Sequence, residues 1–379
     1  MMTSARVPTL LALWTLTGGA LPLLAKGGRL EDRTTDPLLP PWAVETVAQL
    51  DLPPGNVAVS PEGRVFFTYL PQARPAVKVA ELVGGKVVPF PDPAFQRRGL
   101  GRLGFDTVLS IRIDRQNRLW ALDYGSYGTR HPYLFAFDLA TRELVHAFRF
   151  SRDLAPVGSM LNDFQIDPTG SRVYIADTSV IRRRPALIVY DVTRGEAYRL
   201  LEREPAVSDG PYDVYVHGRR VGLLHGLLPL KFGVDSICLD RCGEWLYFAA
   251  LNSGTLYRLR TADIERFRQC PADLAARIEP YAGITLSDGI TSDLRGNIYL
   301  TDVEHSAVVR LTPGRGLETL VKDGHIRWPD GFNFGPGGWL YLTGSALNEA
   351  LGKPRWRIKA RGPYPIYRFR PGEEGIPGQ

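Results

Sequence analysis

SDGITSDLRGNIYLTD, residues 287–302, decides the fold. A tight turn, DLRG, is followed by a strand of alternating character, NIYL, and just upstream stands Asp288, which no strand requires. The pattern recurs along the chain. NVAVSPEGRVFFTY (56–69), SIRIDRQNRLWALD (110–123), NDFQIDPTGSRVYIAD (162–177), DSICLDRCGEWLYFAA (235–250), DGITSDLRGNIYLTD (288–302) and DGFNFGPGGWLYLTG (330–344) share one grammar. Each is an apolar strand, a turn of Asp, Pro, Asn or Gly, and a second strand carrying an aromatic, which is a β-hairpin. The turn anchors are Gly63, Asn117, Gly170, Gly243, Gly296 and Gly338, spaced by roughly 50 residues with one longer interval. Further strand pairs fill the intervals, such as YLFAFDLATRELVHAFRF (133–150), ALIVYDVTRGEAYRLL (186–201) and AVVRLTPGRGLETLV (307–321). About four strands per period is the signature of a propeller blade. The expected fold is therefore all-β, a six-bladed β-propeller with four-stranded antiparallel blades.

A lone blade cannot bury both faces, so blades must stack, and closing them into a ring leaves no end blade exposed. WAVETVAQLDL (42–52) and YPIYRFRP (364–371) flank the repeats. One is expected to complete the blade begun by the other. No linker interrupts residues 42–371, so these form one domain followed by a tail, 372–379. Residues 204–233 read as an extended pair or loop over one face. TADIERFRQCPADLAARIEP (261–280) has helical spacing and reads as an excursion after the fourth blade.

Composition agrees. The 379 residues are 44% hydrophobic, with 39 Gly, 30 Pro and 10% aromatics, which favours a turn-rich β protein over a helical bundle. The formal charge is +6, yet the runs QRRG (96–99) and IRRRP (181–185) are short and lack interleaved aromatics, so no nucleic-acid face is expected. No P-loop, dinucleotide, flavin or Gly-x-Ser-x-Gly signature is present. The opening MMTSARVPTLLALWTLTGGALPLLAKGG has Arg6, an apolar run from Val7 to Leu24, and small-residue sites ending at Ala20 and Ala25. It reads as a signal peptide over 1–25, cleaved near 20 or 25, giving a secreted or periplasmic protein with no membrane role beyond export. Three cysteines, Cys238, Cys242 and Cys270, leave at least one unpaired; a Cys242–Cys270 loop disulfide is the pairing open to them.

Eight residues before each turn anchor lie Gly55, Leu109, Asn162, Asp235, Asp288 and Asp330. The position precedes the strand lining the central channel, so four consecutive blades aim an amide or carboxylate at one mouth. Converging carboxylates raise each other's pKa unless something positive sits among them. A hard cation such as Ca²⁺ takes such oxygens, making Asn162, Asp235, Asp288 and Asp330 the candidate metal and ligand-binding residues. Trp328 is an aromatic neighbour suited to a cationic small molecule. The competing reading is that these side chains accept backbone N–H bonds and fasten blade to blade. Asp167, Asp240 and Asp293 lie in hairpin turns and are explained by turn chemistry. Asp177 and Asp302 end second strands and read as structural, and His305 reads as a polar hairpin residue.

Several segments together resemble the yellow / major royal jelly protein family. They are VKVAELVGGKVVPFPDPAF (77–95), LNDFQID (161–167), ALIVYDVTRGEAYRLL (186–201), GVDSICLDRCGEWLYFAALNSGTLYRL (233–259), LSDGITSDLRGNIYLTDVEHSAVVRL (286–311) and WPDGFNFGPGGWLYLTGSALN (328–348). The resemblance runs from about Trp42 to Pro371 and implies an exported six-bladed propeller, with relatives that include dopachrome-converting enzymes, nutritive proteins and amine binders. A more distant similarity is to the gluconolactonase and paraoxonase propellers. It implies calcium held by a middle-blade Asn, which Asn162 matches, and a later Asp, which Asp235 or Asp288 matches. The first-blade Glu of that pattern is missing, since PPGNVAV places Gly55 and Asn56 there. Two functions follow as expectations: a small-molecule site at the channel mouth, with lactonase- or tautomerase-like chemistry, or a non-catalytic interaction propeller with a structural Asp ring.

Overall fold

In a computed structural model describing residues 27–99 and 101–379, the six hairpins become the inner strand pairs of six four-stranded antiparallel sheets. The export segment expected over 1–25 lies outside the described residues. Innermost strands are Pro54–Val59, Val108–Ile113, Leu161–Ile166, Val234–Leu239, Ile290–Ser292 and Pro329–Phe334, for blades 1 to 6. All six turn anchors lie in the left-handed region, with φ of 84° at Gly63, 60° at Asn117, 73° at Gly170 and Gly243, 84° at Gly296 and 70° at Gly338. That conformation is open to Gly and tolerated by Asn, which is why those residue types mark the repeat. In four of the turns an aspartate secures the geometry. Asp114, Asp167, Asp240 and Asp293 each accept backbone N–H groups from within their own turn.

Ring closure joins the two ends of the propeller. Blade 6 takes its third strand, Tyr364–Phe369, from late in the chain and its outermost, Glu45–Leu50, from before blade 1, paired from Glu45 with Arg368 to Leu50 with Tyr364. Neighbouring blades are also stitched near the axis by side chains. Thr343 donates to the Gly55 carbonyl at 2.8 Å and accepts the Gly331 N–H at 2.9 Å, joining blades 6 and 1. Thr68 donates to the Leu109 carbonyl at 2.6 Å, joining blades 1 and 2. Ser236 donates to the Asp288 carbonyl at 2.7 Å, joining blades 4 and 5.

Two expectations are corrected. The helical stretch, observed as Thr261–Phe267 and Pro271–Ala275, lies inside blade 4, between its third strand and the fourth, Glu279–Gly283. The shorter helices let the last strand return to the blade edge. No disulfide joins Cys242 to Cys270: all three cysteines are free, with Cys238 buried and the other two exposed. The excursion over 204–233 is a two-stranded ribbon, Tyr215–Val216 with Arg219–Arg220, followed by the helical turn Leu223–Gly226.

The tail belongs to the propeller. The Glu374 carbonyl accepts Leu294 N–H at 2.8 Å, Gly378 donates to the Phe334 carbonyl at 3.0 Å, and Ile113 donates to the Gly378 carbonyl at 2.9 Å. Ile113 and Phe334 end their innermost strands, so the tail crosses the channel at the end remote from Asn162 and Asp330.

Thr343→Val keeps the shape but leaves the Gly331 N–H and Gly55 carbonyl without their partner in a buried seam. A loss of about 2–4 kcal/mol is expected, read as a lower urea midpoint with unchanged slope.

Candidate functional site

Five of the six innermost strands depart from regular register at the mouth end, between Pro54 and Val57, Val108 and Ser110, Leu161 and Phe164, Val234 and Ser236, and Pro329 and Phe332. A bulge frees residues from the ladder and re-aims their side chains. In blade 3 it brings Asn162 and Asp163 to one region, although strict alternation would put them on opposite faces.

Of the four expected residues, Asn162 and Asp235 touch, and the carboxyls of Asp235, Asp288 and Asp330 lie near enough to act on one another electrostatically. Asn162 donates from its amide to Asp235 Oδ1. Trp328 Nε1 donates to Asp288 Oδ2 at 2.6 Å, and Asp330 is hydrogen-bonded by Ser345. Asn162, Asp235 and Asp288 are 8%, 2% and 8% exposed, while Asp330 is half-buried. Trp328 is itself buried in the core with φ of 45°. It therefore acts as a donor to Asp288 rather than as an open stacking platform. A left-handed backbone at so bulky a residue stores strain, a feature that clusters at functional sites.

Sequence reading missed the other half of the axis. Arg112, from blade 2, is 2% exposed. Its Nη1 donates to Asn56 Oδ1 at 2.7 Å and its Nη2 to Asp163 Oδ2 at 3.2 Å. Ser110 donates to Asp163 Oδ1 at 2.5 Å, and the Asn56 amide reaches the same oxygen at 3.4 Å. Blades 1, 2 and 3 thus meet at a single carboxylate, which is possible only beside the axis. An arginine at alternate positions of an innermost strand, SIRI, was the available signal.

The charge balance is uneven. Arg112 pairs with Asp163, and Asp235, Asp288 and Asp330 remain. Burial first, and then the charges of Asp288, Asp163 and Asp330, push the Asp235 carboxyl well above its usual range. Burial also raises Asp288 to about 7, against the stabilising Trp328 hydrogen bond and reinforced by Asp163. Asp330 is raised by burial, Asp288 and Asp163, with Ser345 and Arg112 opposing. Such a group can take up protons or a cation.

In kind, Asn162, Asp235, Asp288 and Asp330 are the hard oxygen donors that Ca²⁺ uses. On the blade 1 side Gly55 and Asn56 stand where a carboxylate would be wanted, and Asn56 is engaged by Arg112 and Asp163. Among the described residues, the one set of three such titratable groups with ligating atoms mutually within 4.8 Å lies elsewhere: Asp32, Asp302 and His305. His305 Nδ1 is 3.0 Å from both Asp302 oxygens and Nε2 is 3.5 Å from Asp32. The Asp302 hydrogen bond raises the imidazole pKa over the opposing effect of burial, and the ring bridges Asp32 to Asp302 at the end of the second strand of blade 5.

A family model described as Major royal jelly protein matches residues 106–320. Major royal jelly protein 6 of Apis mellifera is 26% identical over 41% of this chain and 35% of its own length. Major royal jelly protein 3 of the same organism is 26% identical over 47% and 33%. The aligned segments thus span about a third of these relatives. Among solved structures, a luciferin-regenerating enzyme superposes with TM-score 0.57 at 11% identity, covering 88% of this chain and 97% of that one. Regucalcin of Agrobacterium tumefaciens, a calcium-binding protein, gives 0.53 at 15%, covering 88% and 96%. A gluconolactonase of Xanthomonas campestris gives 0.53 at 12%, covering 86% and 88%. At such identities these likenesses establish the fold alone.

A carboxyl whose pKa rises on folding stabilises the folded chain while protonated, fully below the unfolded value, and that contribution is lost as pH climbs through the folded value. With Asp288 at about 7 and an unfolded value of about 4, the protein should lose stability across that window. Asp288→Asn should flatten the loss, measured as urea midpoints at successive pH values. Identical profiles for both proteins would mean that Asp288 ionises as an ordinary carboxylate.

Proposed function

Because the chain belongs to the major royal jelly protein family, we propose that it is an exported propeller whose acidic channel mouth binds a small positively charged ligand. The observation that carries this reading is the set of desolvated carboxylates from three consecutive blades, Asp235, Asp288 and Asp330, each pushed upward by burial and by neighbouring acids. One buried guanidinium, already paired with Asp163, does not neutralise them.

The competing role, fastening of blades, is shared between these acids and other groups: Asn162–Asp235 joins blades 3 and 4, and Trp328–Asp288 ties the segment entering blade 6 to blade 5. Thr68, Thr343 and Ser236 make the inter-blade bonds to backbone, while Asp235 and Asp288 take side-chain donors, Asn162 and Trp328. The acceptor capacity that these carboxylates have left is what recognition would use. Export rests on the apolar run from Val7 to Leu24 and on the character of such segments.

The positive charge has two sources. An amine ligand brings its own, with Asp235, Asp288 and Asp330 as partners. Alternatively, Asn162, Asp235, Asp288 and Asp330 would hold a hard divalent cation such as Ca²⁺, which when bound polarises a carbonyl. In the mouth without a bound cation, Asp288, raised to about 7, is the group suited to move a proton near neutral pH. The reaction class this favours is tautomerisation of a quinone-like compound, with lactone hydrolysis as the metal-assisted counterpart.

Thermal-shift and calorimetric titrations with calcium chloride, phenethylamine, catechol and gluconolactone test the reading. At least one probe should stabilise the protein, and Asp288→Asn with Asp330→Asn should weaken that probe by about 30-fold or more while leaving a cooperative melt. Reversal by chelator would assign the charge to a metal, and indifference to chelator would assign it to the ligand. Silence from every probe at millimolar concentration, or a double variant that unfolds, would return the ring to a structural role.

A further inference from the structure

The loop joining the second and third strands of blade 6 carries a pattern that the mouth does not use. From Lys353 to Arg361 the chain reads KPRWRIKAR, with five basic residues and no acidic one. Arg355–Lys359 forms a helical turn. Its Ile358 is fully buried, and the Ile358 carbonyl accepts the Tyr364 hydroxyl at 2.7 Å. The turn is thus fixed to the propeller by one side, and the opposite side faces solvent. There Trp356 is 67% exposed, with Arg355, Arg357, Lys359 and Arg361 exposed around it. Among the described residues, only Lys359 of the five basic side chains has an ion-pair partner, Asp51 at 2.7 Å.

This element lies on the mouth face. Gly344, which precedes the loop, pairs with Pro329 at the mouth end of the innermost strand. Arg327, adjacent to Trp328, donates to the carbonyls of Arg361 at 3.1 Å and Pro363 at 2.7 Å. Leu223 lies against Gly352, and Leu227, just beyond that helical turn, is 60% exposed. The face therefore presents two apolar tips, Trp356 and Leu227, among cations that have little to neutralise them.

A merely solvated charge run needs no exposed tryptophan, and a soluble polyanion is met by charge alone. Tryptophan settles at the headgroup level of a bilayer, and clustered Lys and Arg are drawn to anionic lipid. A short amphipathic turn combining the two lies on a membrane rather than in it. No helix among the described residues is long and apolar enough to cross a membrane, so attachment here would be peripheral. We propose that residues 353–361, with Leu227 beside them, dock the mouth face onto an anionic lipid surface.

Co-sedimentation with vesicles of equimolar phosphatidylglycerol and phosphatidylcholine, against pure phosphatidylcholine, tests this. Binding is expected only to the anionic vesicles, weakening with salt. Arg355→Gln with Arg357→Gln should lower partitioning about 25-fold, at roughly fivefold per charge, and Trp356→Ala about tenfold. Because these side chains are exposed, all variants should melt as the parent does. Absence of lipid-dependent sedimentation, or binding undiminished when Arg355→Gln, Arg357→Gln and Trp356→Ala are combined, overturns the proposal. Equal retention of parent and Trp356→Ala on heparin, with no difference between them on vesicles, overturns it in favour of a soluble polyanion.

Discussion

Everything at the axis depends on the pairing of Glu45–Leu50 with Tyr364–Phe369. A propeller blade is wedge-shaped by virtue of its twist, and only a closed ring forces six wedge tips into register around a common line. With the outermost strand of the last blade drawn from the start of the repeat region, blade 6 is completed only when the two ends of the propeller meet. The closure is therefore non-local by construction, and it converts six separate strand starts into one mouth. Thr343, bonded to both Gly331 and Gly55, carries the same closure inward to the axis.

Once the ring is closed, its polar interior must be electrically tolerable. Breaking a buried ion pair typically costs about 3–5 kcal/mol, and the Arg112–Asp163 pair, with Asn56 and Ser110 completing its hydrogen bonds, meets that demand on one side of the axis. The other side is left without a matching cation. Asp235, Asp288 and Asp330 hold neutral donors instead, from Asn162, Trp328 and Ser345. Neutral donors fix a carboxyl in position without cancelling its charge. Three carboxyls held this way beside one another, with Trp328 in a strained backbone conformation, cost stability unless something positive joins them.

How far the sequence could be read follows from the same geometry. Gly63, Asn117, Gly170, Gly243, Gly296 and Gly338 announce the six hairpins because a left-handed turn residue restricts the amino acids allowed, so local chemistry sufficed for the fold. Counting back from them located Asn162, Asp235, Asp288 and Asp330, because the strand length between turn and mouth is nearly constant. Asp163 and Arg112 escaped because the period-2 rule assigns neighbours to opposite faces, and the bulge in blade 3 breaks it. The helices in blade 4 were placed outside the blade because nothing in 261–280 announces that the strand after them returns to the same sheet. The run at 353–361 drew no attention for a related reason. Its meaning lies in which side of the turn is buried, and only Ile358 and Trp356 in their three-dimensional places reveal that.

Opposite charges on one face of the molecule have a consequence that neither feature has alone. On the readings proposed above, the carboxylates of the mouth would attract cations, while the basic turn at 353–361 would repel them and gather anions. At physiological ionic strength charges are screened over about 8 Å, so each region acts on what comes close to it and the two do not cancel at contact range. An anionic surface covering Trp356 would neutralise the outer basic residues and weaken their repulsion of an approaching cation. Asp330, the half-buried acid, is then the natural first contact, with Asp288 and Asp235 deeper.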